Sequence, residues 1–171
     1  SESDENRRKI LKARRMATGA ALSAALFLGA IGNWLVVLLY DVRYEKAGPL
    51  LVMIVLAHLP MLITASYASL AMAAGHSRRF ALIVILDAAI RVSILLLATS
   101  NFGVVGAALA PFPAVLLHYP FLIALTRRYR GWDPVHDIGY FSLAALCAVG
   151  VLWLNWDAIR PVLENLSLLA G

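Results

Sequence analysis

Twenty residues, Phe80 to Thr99 (FALIVILDAAIRVSILLLAT), constrain this chain more than any other stretch. A bilayer's hydrocarbon layer is about 30 Å thick and is crossed by about 20 predominantly apolar helical residues. This run has that length and character, yet it contains two opposite charges, Asp87 and Arg91. A charge near the bilayer centre costs about 2.5 to 3.5 kcal/mol on insertion scales, so it persists where it is paired or faces a polar cavity. The two residues are four apart with the acid first, which places them on one helical face about 6 Å apart along the axis. At about 1.5 Å per residue from Phe80, Asp87 lies about 10 Å and Arg91 about 16 Å into the layer. Two readings follow: a structural ion pair facing a neighbouring helix, or a pair facing a water-filled path in which Arg91 holds an anionic group of a substrate. The second is the working expectation.

The rest of the chain reads as housing for that pair. Of 171 residues, 61% are apolar and 15% charged, and the mean hydropathy is +0.79. That composition places the chain among all-α integral membrane proteins and outside the soluble globular class. The single cysteine, Cys147, lies in an apolar run, which excludes an intrachain disulfide and suits a small buried thiol. The net charge of +5 is carried by short inter-helix loops, where topology explains it, so nucleic acid is not an expected partner.

Five spans are predicted. Residues 1–15 (SESDENRRKILKARR) place acids before six Lys and Arg, a cytoplasmic basic connector leading into a membrane helix. The apolar run that follows is too long for a signal-peptide core. With its charged start and lack of an initial Met, the chain is expected to be a piece of a longer protein.

The first span, 16–40, carries Ala17, Gly19, Ala20, Ala21, Ser23, Ala24, Ala25, Gly29 and Gly32, a small-residue surface on which another helix can close. Asn33 is its one amide. A short polar loop leads to Pro49 and the second span, 49–74, with His58 and Pro60 near its middle and Ser66, Tyr67 and Ser69 beyond; Pro60 removes a backbone donor and predicts a kink. Gly75 to Arg79 form a basic turn. The third span, 80–99, is closed by Ser100 to Gly103. The fourth, 104–126, opens on the close-packing GVVGAALA and contains Pro111, Pro113, Pro120, His118 and Tyr119. These four make up the unit 16–126. A basic loop, 127–137 (RRYRGWDPVHD), holds Trp132 at interfacial depth; a further span, 138–156, ends in Trp153 and Trp156; and the tail, 157–171, reads as an interfacial segment or a truncated hairpin partner.

Eleven Lys and Arg fall on the side of the N-terminus and three on the other, so the N-terminal side is expected to be cytoplasmic. No HExxH, cysteine cluster, P-loop or GxSxG is present, and the histidines are scattered, so neither an enzyme nor a cofactor or metal centre is expected. The polar residues inside the spans, Asn33, His58, Tyr67, Asp87, Arg91 and His118, are the candidates for a cavity with few specific contacts. They are equally what holds a bundle together.

The order of three short motifs resembles the C-terminal lobe of the polysaccharide and oligosaccharide flippases of the multidrug/oligosaccharidyl-lipid/polysaccharide exporter superfamily. They are Leu39, Asp41, Tyr44, Ala47 and Gly48 in the first loop; Gly75, Ser77, Arg78 and Arg79 in the second; and Gly103, Gly106, Ala107 and Ala108 opening the fourth span. The resemblance covers roughly residues 1 to 130. It implies that the first four spans are the ninth to twelfth of about twelve to fourteen in a two-lobed protein of the bacterial inner membrane, with the N-terminal lobe as partner.

The implied activity is translocation of a lipid-linked oligosaccharide, a polyprenyl-diphosphate sugar, by alternating access. On that implication Arg91 is an anion contact in a cationic cavity, Asp87 orients it or exchanges protons or cations for coupling, and the N-terminal lobe supplies further cations. Two other functions stay open: a cation-coupled multidrug exporter of the same superfamily, which a lone membrane aspartate suits, and a non-transporting scaffold in which Asp87 and Arg91 merely pair.

Overall fold

The computed structural model describes residues 2–40, 42–44, 46–73, 75–128 and 131–169. Among these, the side chains of residues 2–4, 6, 7, 42, 66, 68–73 and 165–169 are outside the description. The expectations for Asp41, for the Ser66 and Ser69 hydroxyls and for Arg130 therefore lie outside the described residues.

Six α-helices make up the described chain: α1, Glu2–Leu39; α2, Ala47–Ala73; α3, Ser77–Leu109; α4, Pro111–Arg128; α5, Pro134–Leu154; and α6, Trp156–Leu169. A single 3-10 turn, Val42–Tyr44, joins the first two. α1, α2, α3 and α5 are long and apolar enough to cross a membrane, so the protein is a multi-pass all-α membrane bundle. The first helix does not begin at the membrane: the basic connector is helical from Glu2, and 38 residues make α1 about 57 Å long, well beyond the hydrocarbon thickness.

Gly103 decides how the second half of the chain is arranged. Its φ of 58° and ψ of −140° lie in a region that residues with a Cβ avoid, and they interrupt α3 there. The chain doubles back so tightly that a Cβ on Gly106 would overlap the Ala98 carbonyl. Beyond the turn, Ala110 has helical dihedrals, and the bonds from Ala110 N–H to the Gly106 carbonyl (2.9 Å) and from Ala114 N–H to the Ala110 carbonyl (3.3 Å) carry the helix on into α4. Residues 77–102 and 104–128 are thus the two arms of an antiparallel hairpin, and the stretches read as third and fourth spans, 80–99 and 104–126, lie on these arms.

α2 is the central element, touching every other helix, and more than half of its membrane-length stretch is buried whereas none of the corresponding part of α3 is. It carries two apolar clusters. At the end near Gly103, Val52 and Met53 pack with Ala108, Val151 of α5 and Ile159 of α6; nearer the other end, Leu59 and Ile63 pack with Leu22 of α1 and Ala144 of α5. The helix continues through Pro60, and the Thr64 hydroxyl donates to the Pro60 carbonyl at 3.1 Å.

The small-residue surface of α1 is only partly used inside this bundle. Thr18, Leu22, Gly29, Gly32 and Val36 form the buried stripe at helical period, while Ala17, Ala20, Ser23 and Ala24 lie on the other side and are exposed. A helix turns 100° per residue, so consecutive small residues cannot share one face. The tail forms α6, which folds back against α2, α3 and α5 through Ile159 and Val162, with the Arg160–Glu164 pair exposed.

Candidate functional site

The hairpin register places His118 opposite Asp87, because the two residues are nearly equidistant in sequence from the turn at Gly103. Arg91 Nε donates to Asp87 Oδ2 at 2.7 Å, the i,i+4 pair expected from spacing. Arg91 Nη1 reaches the Met61 thioether of α2 at 3.5 Å. His118 is 4% exposed, and its Nδ1 stands 3.8 Å from Asp87 Oδ1. Among the described residues, neither of those two atoms has a hydrogen-bond partner.

Arg91 and Asp87 are not sealed: their side chains are 32% and 28% exposed, about 20 Å and 15 Å along the arm from Ser77. A guanidinium has five N–H donors, and Asp87 occupies only Nε. The site is therefore an ionisable triad, Asp87, Arg91 and His118, at mid-depth on the flank of the bundle.

The remaining sequence candidates do not join it. His58 Nδ1 is bonded to the Ile54 carbonyl of its own helix at 2.7 Å. Asn33 lies at the other end of α1, against Gly48, and lines a cavity of about 620 Å³ together with Lys46, Phe102, Val105 and Asp157. A second, almost wholly apolar cavity of about 730 Å³ adjoins it at Phe102 and Val105. Neither is lined by Asp87, Arg91 or His118.

Tyr67 belongs to a second polar centre that sequence reasoning missed. Asp137, 2% exposed, accepts on Oδ1 from the Tyr67 hydroxyl (2.5 Å) and His136 Nδ1 (2.9 Å), and on Oδ2 from the Tyr119 hydroxyl (2.7 Å) and Trp132 Nε1 (3.2 Å). A carboxylate can only accept, so His136 donates from Nδ1, and its Nε2 is left to accept from the Thr18 hydroxyl at 3.3 Å. Arg14 supplies the counter-charge, with Nη2 at 3.5 Å from Asp137 Oδ1 and its guanidinium 3.8 Å above the Tyr67 ring. One carboxylate thereby ties α1, α2, α4 and α5 together.

Among the described residues, four hydrogen-bond donors and the Arg14 guanidinium surround this carboxylate. Among the described residues no group of His, Cys, Asp or Glu is arranged to hold a metal ion.

Beside it, Asp133 caps α5 by accepting from the His136 N–H (3.1 Å) and pairs with Arg15 at 2.7 Å. Burial acts to raise its carboxyl, but the Arg15 hydrogen bond and charge and the His136 N–H outweigh that and hold it below the ordinary aspartate range. Trp132, expected as an interfacial anchor, spends its N–H on Asp137 and stacks under Arg127 at 4.3 Å.

A readable signal marked this centre: Asp133-Pro134 is an N-cap followed by Pro at the first helical position. Taken seriously, it starts α5 at Pro134 and removes His136 and Asp137 from the loop 127–137 to which they were assigned. No family model, no curated protein and no solved structure matches this chain.

Proposed function

We propose that the chain is one lobe of an inner-membrane exporter that translocates a lipid-linked oligosaccharide, and that Arg91 contacts the diphosphate of that substrate. The observation that carries this reading is the guanidinium itself: about halfway along an apolar arm, a third exposed, and engaged by Asp87 through one nitrogen only. A cation at that depth persists where it is paired or faces a polar cavity, the N–H groups that Asp87 does not engage are open to an anion, and a planar guanidinium matches a phosphate's oxygens in pairs. Asp87 fixes the fork's orientation. The outward apolar surface of the same arm, including Leu82, Ile85, Leu96 and Leu97, is available to the lipid tail, to bilayer lipids or to an N-terminal lobe. The excess of Lys and Arg on the side of the N-terminus supports a cytoplasmic location for that end.

Arg91→Ala in the full-length protein tests the proposal. Expected is loss of sugar export with unchanged membrane insertion and abundance; wild-type export from a well-expressed variant refutes the substrate role.

The scaffold reading has one observation in its favour, the 2.7 Å Asp87–Arg91 bond by which each partner offsets the other. Replacing a buried pair by apolar residues is often neutral, so on that reading Asp87→Leu combined with Arg91→Leu leaves both assembly and phenotype intact. On the transporter reading the same double variant inserts normally and does not export.

A further inference from the structure

The contact between Asp87 and His118 is incomplete in a specific way. Oδ1 of Asp87 and Nδ1 of His118 are both buried, both without a hydrogen-bond partner among the described residues, and 3.8 Å apart. Buried polar atoms are nearly always bonded in native proteins, and two such orphans facing each other are rarer still. A hydrogen bond between N and O spans about 2.7 to 3.2 Å, so the atoms fall short of one by well under a bond length.

A neutral imidazole carries one N–H; with it on Nε2, His118 Nδ1 and Asp87 Oδ1 face each other as two acceptors, and a proton added at Nδ1 satisfies both while Nε2 keeps its own.

We propose that Asp87 and His118 form a proton-binding site within the membrane, and that occupancy of this site controls how tightly Asp87 holds Arg91. A proton from the aqueous phase adds to the imidazole, and no other bond breaks. Both ring nitrogens then donate. The gap closes to a charge-assisted N–H to carboxylate bond, which is shorter and stronger than a neutral one. The carboxylate is now shared between two cations. Its hold on Arg91 Nε weakens, and the guanidinium is released towards its exposed side.

The groups around the ring fit this role. From α3, the Asp87 carboxylate faces the ring at 3.8 Å and is itself bonded to Arg91, so the ring sits beside the pair it regulates. From α2, His58 is engaged by the Ile54 carbonyl, Tyr67 by Asp137, and Met61 contributes an uncharged thioether to Arg91. On α4 the neighbouring Tyr119 points to Asp137 of α5. The consequence for transport, that anion binding at Arg91 strengthens when the site is protonated, rests on the reading of Arg91 proposed above; the proton site itself does not.

The test is a pH titration of the intact protein in lipid nanodiscs, following imidazole signals by nuclear magnetic resonance and carboxylate bands by infrared difference spectroscopy. His118→Gln identifies the His118 signal among the four histidines. Expected is a His118 titration accompanied by a carboxylate band change with the same midpoint, both absent in His118→Gln. Asp87→Asn should lower the His118 midpoint by about 1 pH unit or more, and Arg91→Gln should raise it, as charges within about 4 to 6 Å do.

A His118 midpoint unmoved by Asp87→Asn, or no His118 titration between about pH 4 and 9, overturns the proposal. Should His118→Gln fail to fold, the Arg91→Gln shift, at a third-exposed position, still decides. Loss of export in Arg91→Ala alongside an uncoupled His118 overturns the proton site and spares the anion contact. A coupled titration with full export in Arg91→Ala does the reverse.

Discussion

Asp137→Ala is the substitution whose cost the structure defines most closely. It removes one acceptor from five donors, and their burial differs. The Tyr67 hydroxyl and His136 Nδ1 belong to residues that are 1% and 3% exposed, so they are stranded without water, whereas Tyr119 and Trp132 are half-buried and can be rehydrated. A stranded buried donor costs about 1 to 3 kcal/mol, and leaving one charge of a buried pair uncompensated costs about 3 to 5 kcal/mol. Arg14 has little slack, because its Nε is already buried without a partner among the described residues. These contributions overlap, since all act through one carboxylate, so they do not add.

The expected destabilisation is about 3 to 5 kcal/mol, the figure for an unpaired buried charge. Asp137→Asn keeps an acceptor oxygen but loses the charge. Hydrogen bonds to a charged group are worth about 1.5 to 3 kcal/mol against about 0.5 to 1.5 for neutral ones, so it should cost clearly less than the alanine. Reversible unfolding in mixed micelles, followed by circular dichroism and by the fluorescence of Trp132 beside the site, measures both. A loss under about 1 kcal/mol for Asp137→Ala would refute the account of this centre as the rivet of four helices.

Gly103→Ala should destabilise the hairpin by about 1 to 3 kcal/mol, the cost of holding a Cβ residue at φ 58° and ψ −140°, read as a lowered unfolding midpoint. Gly106→Val should separate the arms at Ala98, read as a lowered unfolding midpoint relative to the parent. Because the folded Asp133 carboxyl titrates below its ordinary value of 3.8, its contribution to α5 is fully present above that value and is lost as the pH falls through the lower folded value. Asp133→Asn, which preserves the cap but not the Arg15 pair, should flatten that acid limb of the stability profile. The exposed pair Arg160–Glu164 is a control: Arg160→Ala should leave the unfolding midpoint unchanged.

Much of the architecture is written locally, and the sequence by itself determined it. Apolar runs of membrane length define the crossings, because an unpaired backbone is intolerable in hydrocarbon and a helix satisfies it within the run. Gly103 marks the reversal because few other residues tolerate its dihedrals. The Asp87–Arg91 pair follows from a spacing of four on one helix. Even Asp133 as a helix cap was legible beside Pro134.

What only the tertiary structure decided is which distant polar groups meet. Tyr67 and Asp137 are 70 residues apart, Thr18 and His136 are 118 apart, and nothing in either segment specifies the other. His118 faces Asp87 only because the Gly103 turn sets the register of two arms, and its neighbour Tyr119 faces Asp137 only because a helix turns 100° per residue. The same rotation separates six polar residues that looked like one cavity into a membrane-depth triad, a buried rivet and two side chains placed elsewhere. Local rules fix where helices run; their relative rotation and register, set by packing against α2, fix which of their side chains share chemistry.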